Sequence, residues 1–373
     1  MTTIAVETDV FVVGGGPSGL AVAIAARNRG FSVTVADIAQ PPIDKACGEG
    51  IMPDGLAALN KLGVNIPLAA AVPFQGIRFS DGESSVHARF TQGHGLGIRR
   101  TKLHEILIDK AAEAGIEMHW GAHVTGLTPD GVTINGINVR CRWLVGADGQ
   151  NSRLRRWSGL DSARTIPSKR FGFRRHYRVV PWSEFVEVYW TEHGQLYITP
   201  VGSEELCVAF ISRNSKLRLD DVFAVFPQIH ARLKGADLIT REQGAVSTTQ
   251  ALRSVYHGSR VLVGEASGSV DAITGDGLSM AFQQAYALAE AFSRNDLAQY
   301  QHAHRRIELM PRMMANLMLL MDRSHGLRAR SLRALQATPS LFTRMLAVHT
   351  GELPLFRIGM EETLSFGWRL LRA

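Results

Sequence analysis

The sequence has few cysteines, no long apolar run and little net charge outside its last segment, and each shortage excludes a class of protein. Its 373 residues contain three cysteines, Cys47, Cys141 and Cys207. Such a sparse, odd set predicts neither a disulfide framework nor a metal cluster, and it is typical of a reducing cytoplasm. No apolar stretch approaches the roughly 18 residues of a membrane-spanning helix. The first residues lack a basic region before an apolar core, so no signal peptide is expected.

Charge is unevenly distributed along the chain. Charged residues make up 20% of the sequence, and the formal net charge is +7. Residues 301–373 contain eleven arginines, no lysine and five acidic residues, so this segment accounts for +6 of that total. Because the preceding residues are nearly neutral, nucleic acid is not expected as a partner. The length and a hydrophobic content of 45% are those of a globular protein with about two or three folding units.

The first residues predict a βαβ unit. Thr8–Val13 is a short apolar run that predicts a strand and ends in the glycine-rich sequence GGGPSG. Ser18–Arg29 is rich in alanine and predicts a helix, which Gly30 closes. Phe31–Ala36 alternates in polarity, as expected of a second strand, and Asp37 follows it. This is the order of elements that dinucleotide-binding folds require.

The glycine pattern in this unit is Gly14-x-Gly16-x-x-Gly19. Gly14 permits a tight turn, Gly16 lets the backbone approach a pyrophosphate, and Gly19 lets the helix pack close to the strand. The helix N-terminus offers N–H groups to phosphates, and Asp37 is placed to accept hydrogen bonds from ribose hydroxyls. A purely structural glycine turn is the alternative. The predicted dinucleotide-binding residues here are Gly14, Gly16, Pro17, Ser18, Gly19 and Asp37.

The rest of the chain alternates between mixed and all-β segments. Only strands are predicted between Phe171 and Ser212, which indicates an antiparallel sheet. Asp81-Gly82 marks a hairpin within residues 74–90. The other predicted strands are Glu117–Leu127, Val132–Val139, Arg142–Val145, Ala245–Leu252 and Arg260–Val263, and the predicted helices are Met52–Leu62, Thr101–Ala114 and Asp220–Leu233.

Two more glycine-rich motifs follow the first one, GADG at 146–149 and GEASG…GDGLS within 264–279. In this order the three motifs resemble those of the FAD-dependent aromatic hydroxylases, the group A flavoprotein monooxygenases, and of the related geranylgeranyl reductases. The resemblance implies an α/β fold: a Rossmann-like FAD-binding domain interrupted by an antiparallel β-sheet substrate domain, with a helical C-terminal tail. The predicted boundaries are 1–72, 94–168 and 251–300 for the FAD-binding domain, 73–93 and 169–250 for the substrate domain, and 301–373 for the tail.

The resemblance assigns a part of FAD to each motif. The first motif would hold the pyrophosphate, and the Asp148-Gly149 turn would lie near it and handle the pyridine nucleotide. Gly275 and Gly277 would open a helix toward the isoalloxazine ring, where N–H groups stabilise negative charge on the reduced flavin. Glu265 stands where the family has Asp, and it would still accept from a ribityl hydroxyl. The FAD-binding residues implied outside the first motif are Gly48, Arg100 beside the cofactor, Val124 through its backbone at the adenine, Asp148, Gly149, Glu265, Gly275, Gly277 and Leu278.

The sequence Cys47-Gly48-Glu49-Gly50 lies on a loop that the family places near the flavin. Geranylgeranyl reductases carry a similar Cys-Gly-x-Gly stretch, which favours that branch. Cys47 is therefore a candidate catalytic residue, as a proton donor or redox partner of the flavin. The alternative is a small residue that packs on the ring. Flavin-dependent halogenases, a third branch, carry a Trp-x-Trp-x-Ile-Pro motif that this sequence lacks.

Tyr197 is the second candidate catalytic residue. It lies on the predicted strand 195–199, which resembles the strand lining the substrate side of these enzymes. Its hydroxyl would orient a phenolic group, and a half-buried strand tyrosine is the alternative. Period-two alternation does not show which strand face looks inward, so the sequence names no general base.

The tail contains a stripe of apolar side chains at helical spacing, Met310, Met314, Leu317 and Met321. Pro311 predicts a break or a helix start there. One interpretation is an arginine-rich helix packed on the FAD-binding domain. The other is a lid that meets a lipid-like substrate or an anionic membrane surface, since methionine suits irregular apolar ligands.

The function predicted first is an FAD-dependent monooxygenase. By the resemblance, NAD(P)H would reduce FAD, and one oxygen atom of O₂ would be transferred to an electron-rich ring. The predicted substrate is a bulky, largely apolar aromatic or polyketide-type molecule, because the arginines gather in the tail beside Met and Leu instead of forming a tight anion pocket. The alternative is an FAD-dependent reductase that saturates C=C bonds of an isoprenoid-like substrate. A third hypothesis is an FAD-binding protein that acts through partners docked on its basic tail.

Overall fold

The computed structural model describes residues 7–164, 168–354 and Gly367, and it has the predicted mixed α/β architecture. Up to residue 269, strands alternate with helices; in the described residues beyond it, only helices follow. In chain order the described strands are β1 (Glu7–Val13), β2 (Val33–Asp37), β3 (Gly50–Ile51), β4 (Val72–Phe74), β5 (Gly76–Ser80), β6 (Ser85–Arg89), β7 (Gly95–Gly97), β8 (Glu117–Trp120), β9 (Val124–Thr128), β10 (Gly131–Ile134), β11 (Ile137–Gly146), β12 (Ser168–Arg178), β13 (Val186–Trp190), β14 (Gly194–Gly202), β15 (Glu205–Ser212), β16 (Asp237–Ala251), β17 (Tyr256–His257), β18 (Arg260–Leu262) and β19 (Gly268–Ser269).

Prolines start several of the helices. Pro17, Pro53, Pro227 and Pro339 each occupy the first turn, where the missing N–H would have no partner in the helix. In chain order the helices are α1 (Pro17–Arg27), α2 (Pro53–Lys61), α3 (Arg100–Glu113), α4 (Arg153–Trp157), α5 (Leu219–Phe223), α6 (Pro227–Leu233), α7 (Gly277–Ser293), α8 (Leu297–Arg323), α9 (His325–Gln336) and α10 (Pro339–His349), with short 3₁₀ helices at Leu68–Ala70, Gly264–Ser267 and Ala272–Thr274.

The first sheet has a parallel core in the order β18-β11-β1-β2-β8, which β9, β10 and β17 extend. Val13 at the end of β1 pairs with Gly146 of β11 and with Ala36 of β2, and Gly146 pairs with Leu262 of β18. Parallel strands present their carboxyl ends at one sheet edge, and the segments that follow them converge there. All three glycine-rich motifs therefore begin at the same edge.

The second sheet has the order β19-β16-β12-β15-β14-β13-β5-β6. Its pairs are antiparallel, as predicted, except that β13 runs parallel to β5. The small strands β3, β7 and β4 form a third sheet. The first and second sheets draw their strands from alternating stretches of the chain, so the chain passes between them more than once.

Helices cover both large sheets. On the first sheet, α1, α3 and α7 bury side chains such as Leu20, Leu103 and Phe282. The tail helices α8, α9 and α10 pack on the second sheet, where Met318 and Phe342 join its buried cluster. Among the described residues, no helix combines the length and the apolar character needed to cross a membrane.

Two of the predicted strands are wrong, because each is divided into two strands by a turn. The predicted strand Val132–Val139 is divided because Asn135 and Gly136, with φ of 48° and 82°, turn the chain between β10 and β11. Asn-Gly is a strong signal for this two-residue hairpin and outweighs the apolar run around it. Glu117–Leu127 is likewise divided near Gly121, whose φ is 69°.

Two predictions about helices are also corrected. The predicted helix Asp220–Leu233 is two helices, because Phe226 leaves helical geometry before Pro227 starts α6. Pro311 neither breaks nor starts a helix but lies buried inside α8. Packing of α8 against its neighbours offsets the hydrogen bond that proline cannot donate. Within the predicted tail, residues 355–366 and 368–373 lie outside the described residues.

Candidate functional site

A continuous cavity of about 700 Å³ lies where the glycine-rich motifs converge. Its walls are the turn after β1 and the start of α7, one face of the second sheet, and the tail helices. Every site residue predicted from the sequence lines this cavity except Gly19. The residues brought together in this way are Gly14, Gly16, Pro17, Ser18, Asp37, Cys47, Gly48, Arg100, Val124, Asp148, Gly149, Tyr197, Glu265, Gly275, Gly277 and Leu278.

The first motif has the close approaches that its glycines predict. A Cβ atom on Gly14, whose φ is 110°, would lie 2.4 Å from the carbonyl oxygen of Ala147. A Cβ on Gly19 would lie 1.8 Å from the carbonyl oxygen of Gly14, so only glycine lets α1 pack this close. Gly16 differs, because nothing lies within 4 Å of its added Cβ. The space beside Gly16 is open at the N-terminus of α1, as a pyrophosphate requires.

Asp37 and His104 hold the turn of the first motif in place. The Asp37 carboxylate accepts hydrogen bonds from the N–H groups of Gly15, at 2.6 Å, and Ala39, at 2.8 Å. His104 of α3 lies with Nε2 2.8 Å from the Gly15 carbonyl, and its Nδ1 accepts from the Ile43 N–H at 3.1 Å. Burial lowers the pKa of His104, which keeps the imidazole neutral in this arrangement. Each Asp37 oxygen retains a lone pair for a ribose hydroxyl.

Asp148 of the second motif organises the turn after β11. One carboxylate oxygen accepts hydrogen bonds from the N–H groups of Arg153, at 2.7 Å, and Leu154, at 3.2 Å. The other oxygen is buried and has no partner among the described residues. Gly149 has a φ of 75°, a conformation that favours glycine. Asp148 therefore positions this turn and keeps one acceptor free beside the cavity.

The third motif ends in the N-terminus of α7, which points its N–H groups toward the cavity. Gly275 has a φ of 74°, which explains why glycine precedes the helix. Gly277 and Leu278, the first residues of α7, both line the cavity. A helix N-terminus in this position stabilises negative charge.

Glu265 has a partner that the sequence did not indicate. Its carboxylate forms an ion pair with Lys45, from the loop that precedes Cys47. Both side chains are more than a third exposed and both residues line the cavity. The contact with a ribityl hydroxyl stays a prediction, and Lys45 competes for the same carboxylate.

The loop around Cys47 is braced by a buried ionic network centred on Glu49. The Glu49 carboxylate accepts from His176 Nε2 at 2.6 Å, from Arg174 Nη1 at 2.8 Å and from the Arg100 N–H at 3.0 Å. Burial favours the protonated acid, but the bond from His176 and the nearby positive charges outweigh it and lower the pKa of Glu49. This ionised carboxylate ties the loop to β12 of the second sheet.

Glu49, His176 and Cys207 also form a set of possible metal ligands, with ligand atoms within 4.8 Å of one another. The Glu49 carboxylate in this set is already bonded to the guanidinium of Arg174. Burial raises the pKa of Cys207 well above its usual value, so this thiol is a poor metal ligand. A guanidinium therefore supplies the positive charge that a metal ion would bring.

Tyr197 lines the cavity, but its hydroxyl group donates a hydrogen bond to another part of the protein. The hydroxyl donates to the carbonyl oxygen of Ile273 at 2.7 Å, directly before the glycines of the third motif. Burial raises the pKa of Tyr197, so the phenol stays protonated. The geometry gives Tyr197 a role in positioning the third motif, and an interaction of its oxygen with substrate stays a prediction.

The methionine-rich tail forms the apolar wall of the cavity. Met314, Met318 and Met321 of α8 line it, although Met310, predicted in the same stripe, does not. From α10, Phe342 and other side chains complete this wall. Three of the four residues of the stripe are thus part of the cavity wall, and α8 packs on the second sheet. The interpretation as a lid for a lipid-like substrate or a membrane surface stays a prediction.

The structure adds functional residues that sequence reasoning missed. Glu49 stood inside the recognised Cys-Gly-x-Gly stretch but at its variable position. His104 and His349 lie in ordinary helices, without a local pattern. His176 was a weaker sequence candidate on the predicted strand Phe171–Val180, and the structure places it in the buried network of Glu49. The Cys-Gly-x-Gly stretch could have indicated Glu49 from the sequence, whereas the roles of His104 and His349 could be recognised only from the fold.

The residues present fit FAD, the group that the resemblance implies. The open space at Gly16 and the helix N-termini of α1 and α7 suit a pyrophosphate and a flavin ring. Arg100 Nε and one oxygen of Asp148 are buried without a partner among the described residues, as expected of groups that a polar ligand completes.

Comparisons with known proteins agree with this geometry. The profile of a family described as FAD binding domain matches residues 7–295. The chain is similar to a menaquinone reductase of Mycobacterium tuberculosis, with 27% identity over 321 residues that cover 78% of each chain. It is also similar to 12-dehydrotetracycline 5-monooxygenase/anhydrotetracycline 6-monooxygenase of Streptomyces rimosus, with 30% identity over 165 residues, 41% of this chain and 33% of that one.

A solved structure has the same fold. The flavoprotein/dehydrogenase from Cytophaga hutchinsonii superposes with a TM-score of 0.82 and covers 98% of this chain and 100% of its own. The identity is 18%, so this similarity concerns the fold alone.

Proposed function

This chain belongs to the family of FAD binding domains, and from that premise we propose that it is a monooxygenase. It is a FAD-dependent oxidoreductase; its proposed reaction hydroxylates a bulky, largely apolar aromatic or polyketide-type substrate with NAD(P)H and O₂. One observation carries the proposal: the cavity runs from the glycine-rich motifs to the apolar wall of the tail without interruption. The relative named 12-dehydrotetracycline 5-monooxygenase/anhydrotetracycline 6-monooxygenase, which matches 41% of this chain, supports a monooxygenase.

In this reaction the protein binds and orients the substrate and excludes water from it. FAD, when bound, supplies the redox chemistry. The N-terminus of α7 stabilises negative charge beside it, and the apolar side chains of the tail keep water from the reacting atoms. Tyr197 and Glu49 hold the two loops that flank the reaction space.

The test is incorporation of isotopically labelled O₂ into product during NAD(P)H consumption, with alkyl-substituted phenols and small hydroxybenzoates as substrates. We expect coupled hydroxylation of the alkyl phenols and little turnover of the hydroxybenzoates.

Met314→Ala should raise KM for the alkyl phenols about tenfold, because it removes part of the apolar wall. A tenfold change corresponds to ~1.4 kcal/mol of binding free energy. Leu238→Ala, at a leucine of β16 that is 51% exposed and does not line the cavity, is the control. Rapid coupled turnover of a hydroxybenzoate that Met314→Ala leaves unchanged would contradict the proposed substrate.

The second candidate is a reductase that saturates C=C bonds of an isoprenoid-like substrate. Cys47 lines the cavity on a loop that Glu49 braces, and the menaquinone reductase relative matches over most of both chains.

The variant Cys47→Ser distinguishes the two candidate functions. For the monooxygenase, we expect FAD and most activity to remain. Among the described residues, Cys47 Sγ accepts a 3.4 Å hydrogen bond from the Glu49 N–H, and a serine hydroxyl can accept the same bond. Loss of turnover by several orders of magnitude with FAD still bound would favour the reductase.

Peripheral contact with a membrane is also proposed, through an exposed apolar stripe on α8. Leu309, Met313, Leu317 and Leu320 recur at helical spacing and are 40–60% exposed. Arginines are exposed near both ends of the helix, which suits anionic headgroups. Because Leu317 also lines the cavity, an apolar substrate would reach the site from this surface.

A further inference from the structure

The cavity has an apolar floor on the second sheet. Ile77 and Phe79 of β5 pair in register with Val186 and Val188 of β13, and all four residues line the cavity. Because successive side chains of a strand point to opposite faces, residues two positions apart project from the same face. Two neighbouring strands therefore contribute two consecutive apolar side chains each to one continuous surface.

The side chains that the tail helices add to the cavity are also mainly apolar. They include Met314, Met318 and Met321 of α8, Leu335 of α9, and Phe342, Met345 and Leu346 of α10. The two titratable residues that these helices add are each paired with a neighbour. Glu308 lies 2.9 Å from Arg312, and His349 Nε2 lies 3.0 Å from Oδ1 of Asp276 in the third motif. The space between the floor and these helices therefore suits a hydrocarbon.

The floor leads away from the loop that carries Cys47. Phe74, at the end of β4, lies beside that loop, since a Cβ atom on Gly50 would lie 3.7 Å from its ring. Phe74 lines the cavity, and Ile77 and Phe79 follow it along the chain. An extended strand advances about 3.3 Å per residue, so β5 carries Phe79 away from the loop.

Aromatic side chains close the cavity at this end of β5. The rings of Phe79 and Phe342 lie 5.1 Å apart, and the Phe79 ring meets that of Trp190 edge to face at 5.9 Å. Trp190 projects from the same face of β13 as Val188, but it is only 1% exposed and does not line the cavity. Leu332 of α9 is also buried and outside the lining. The lining therefore stops at Phe79 and Phe342, and packed side chains lie beyond them.

We propose that the substrate carries a hydrocarbon chain and that Phe79 and Phe342 set the longest chain that the cavity accepts. The inference rests on the proposed function, because it takes this cavity as the substrate site, and it deepens that function by naming a second part of the substrate. The reacting group lies at the glycine-rich motifs, and the chain runs between the second sheet and the tail helices to the two rings. Each CH₂ group that fits adds apolar contact, whereas one that does not fit must displace a packed ring.

The experiment measures how strongly 4-alkylphenols, from ethyl to decyl, bind the oxidised, FAD-loaded protein in equilibrium dialysis. We expect the affinity to rise about fourfold for each added CH₂ group, or ~0.8 kcal/mol, up to one chain length and to fall beyond it. Phe342→Ala should move this maximum to longer chains, because the removed ring leaves room for the chain end. Phe226→Ala is the matched control, at a phenylalanine that is 3% exposed, packs on Tyr189 at 5.4 Å and does not line the cavity.

Two further variants change the space at the rings in opposite directions. Phe79→Leu removes less volume than Phe342→Ala and should also move the maximum to longer chains. Val188→Phe adds a ring to the floor beside Phe79 and should move the maximum to shorter chains. Loss of stability alone would not shift the maximum in opposite directions. If Phe342→Ala fails to fold or to hold FAD, these two variants decide the question.

The outcomes separate this inference from the proposed function. An affinity that rises through the longest chain in the wild type overturns the inference, as does a maximum that the variants at the rings leave where Phe226→Ala leaves it. Labelled oxygen in the product without such a maximum would keep the monooxygenase and remove the limit on chain length. A maximum that moves with the variants, without oxygen incorporation, would keep the limit and remove the monooxygenase.

Discussion

Gly16 differs from Gly14 and Gly19 in what surrounds it. Side chains at the other two positions would collide with backbone, whereas a side chain at Gly16 enters open space. A substitution at Gly14 or Gly19 therefore damages the fold, and a substitution at Gly16 acts on whatever binds there. His349 and Glu49 show the same principle for polar residues, since their chemistry comes from the groups that face them.

We predict that Gly16→Val folds but loses FAD. The valine side chain would fill the space of the pyrophosphate, and we expect affinity to fall at least about tenfold, or ~1.4 kcal/mol. Flavin content after gel filtration and a fluorescence titration with FAD measure this loss. Gly326→Val, at an exposed helical glycine whose Cβ would also meet open space, is the control and should keep FAD. Stoichiometric FAD in folded Gly16→Val would remove the pyrophosphate assignment.

At the scale of elements, α8 has two apolar faces with different surroundings. Met318 and Met321 are 5% exposed and join the buried cluster beneath the second sheet. Leu309 and Leu320 are 60% and 51% exposed on the outside. Because the outer face of α8 is apolar as well as its inner face, this outer face can contact a lipid bilayer.

We predict that Leu309→Ser/Leu320→Ser weakens binding to vesicles that contain phosphatidylglycerol. Loss of two apolar contacts should reduce the affinity at least about tenfold, ~1.4 kcal/mol. Co-sedimentation with vesicles measures this, and neutral phosphatidylcholine vesicles or high salt should bind less because the arginines then contribute little. Leu238→Ser, at a leucine of β16 that is 51% exposed, is the control. Equal binding of the double variant and the wild type would exclude this face as the contact.

Across the whole molecule, Arg170 connects the second sheet, the third motif and the tail. Its guanidinium lies 2.8 Å from Asp271 beside the third motif and 2.9 Å from Asp322 at the end of α8. All three side chains are at most 8% exposed. Burial works to lower the pKa of Arg170, but the charges of Asp271 and Asp322 outweigh it and raise this pKa, so the guanidinium stays charged.

We predict that Asp322→Asn destabilises the protein and loosens FAD together. Bonds to charged groups contribute roughly 1.5–3 kcal/mol each, so we expect a loss of stability of about that size. Thermal unfolding and the rate of flavin release, followed by fluorescence, measure the two effects. The control is Asp220→Asn, which breaks the ion pair with Arg175, where the Asp220 side chain is 72% exposed. We expect it to lower the free energy of unfolding by less than about 1 kcal/mol. Faster unfolding without faster flavin release would show that the tail and the flavin site are not coupled.

The sequence by itself determined the features that depend on neighbouring residues. The strand, glycine-rich turn and helix around Gly14 and the hairpin of β5 and β6 are constraints on local backbone conformation, and they were predictable for that reason. The order of the three motifs indicated the fold. The Asn135-Gly136 turn is equally local, but the apolar residues on both sides of it favour one continuous strand.

Only the tertiary structure decided which distant side chains meet. Asp276 and His349 are 73 positions apart, and Glu49 and His176 are 127 positions apart, as their residue numbers give. No local pattern relates such pairs, because the face that a helix or strand turns inward is set by the elements packed against it. The same holds for α8, where burial of one apolar face and exposure of the other followed from packing against the second sheet.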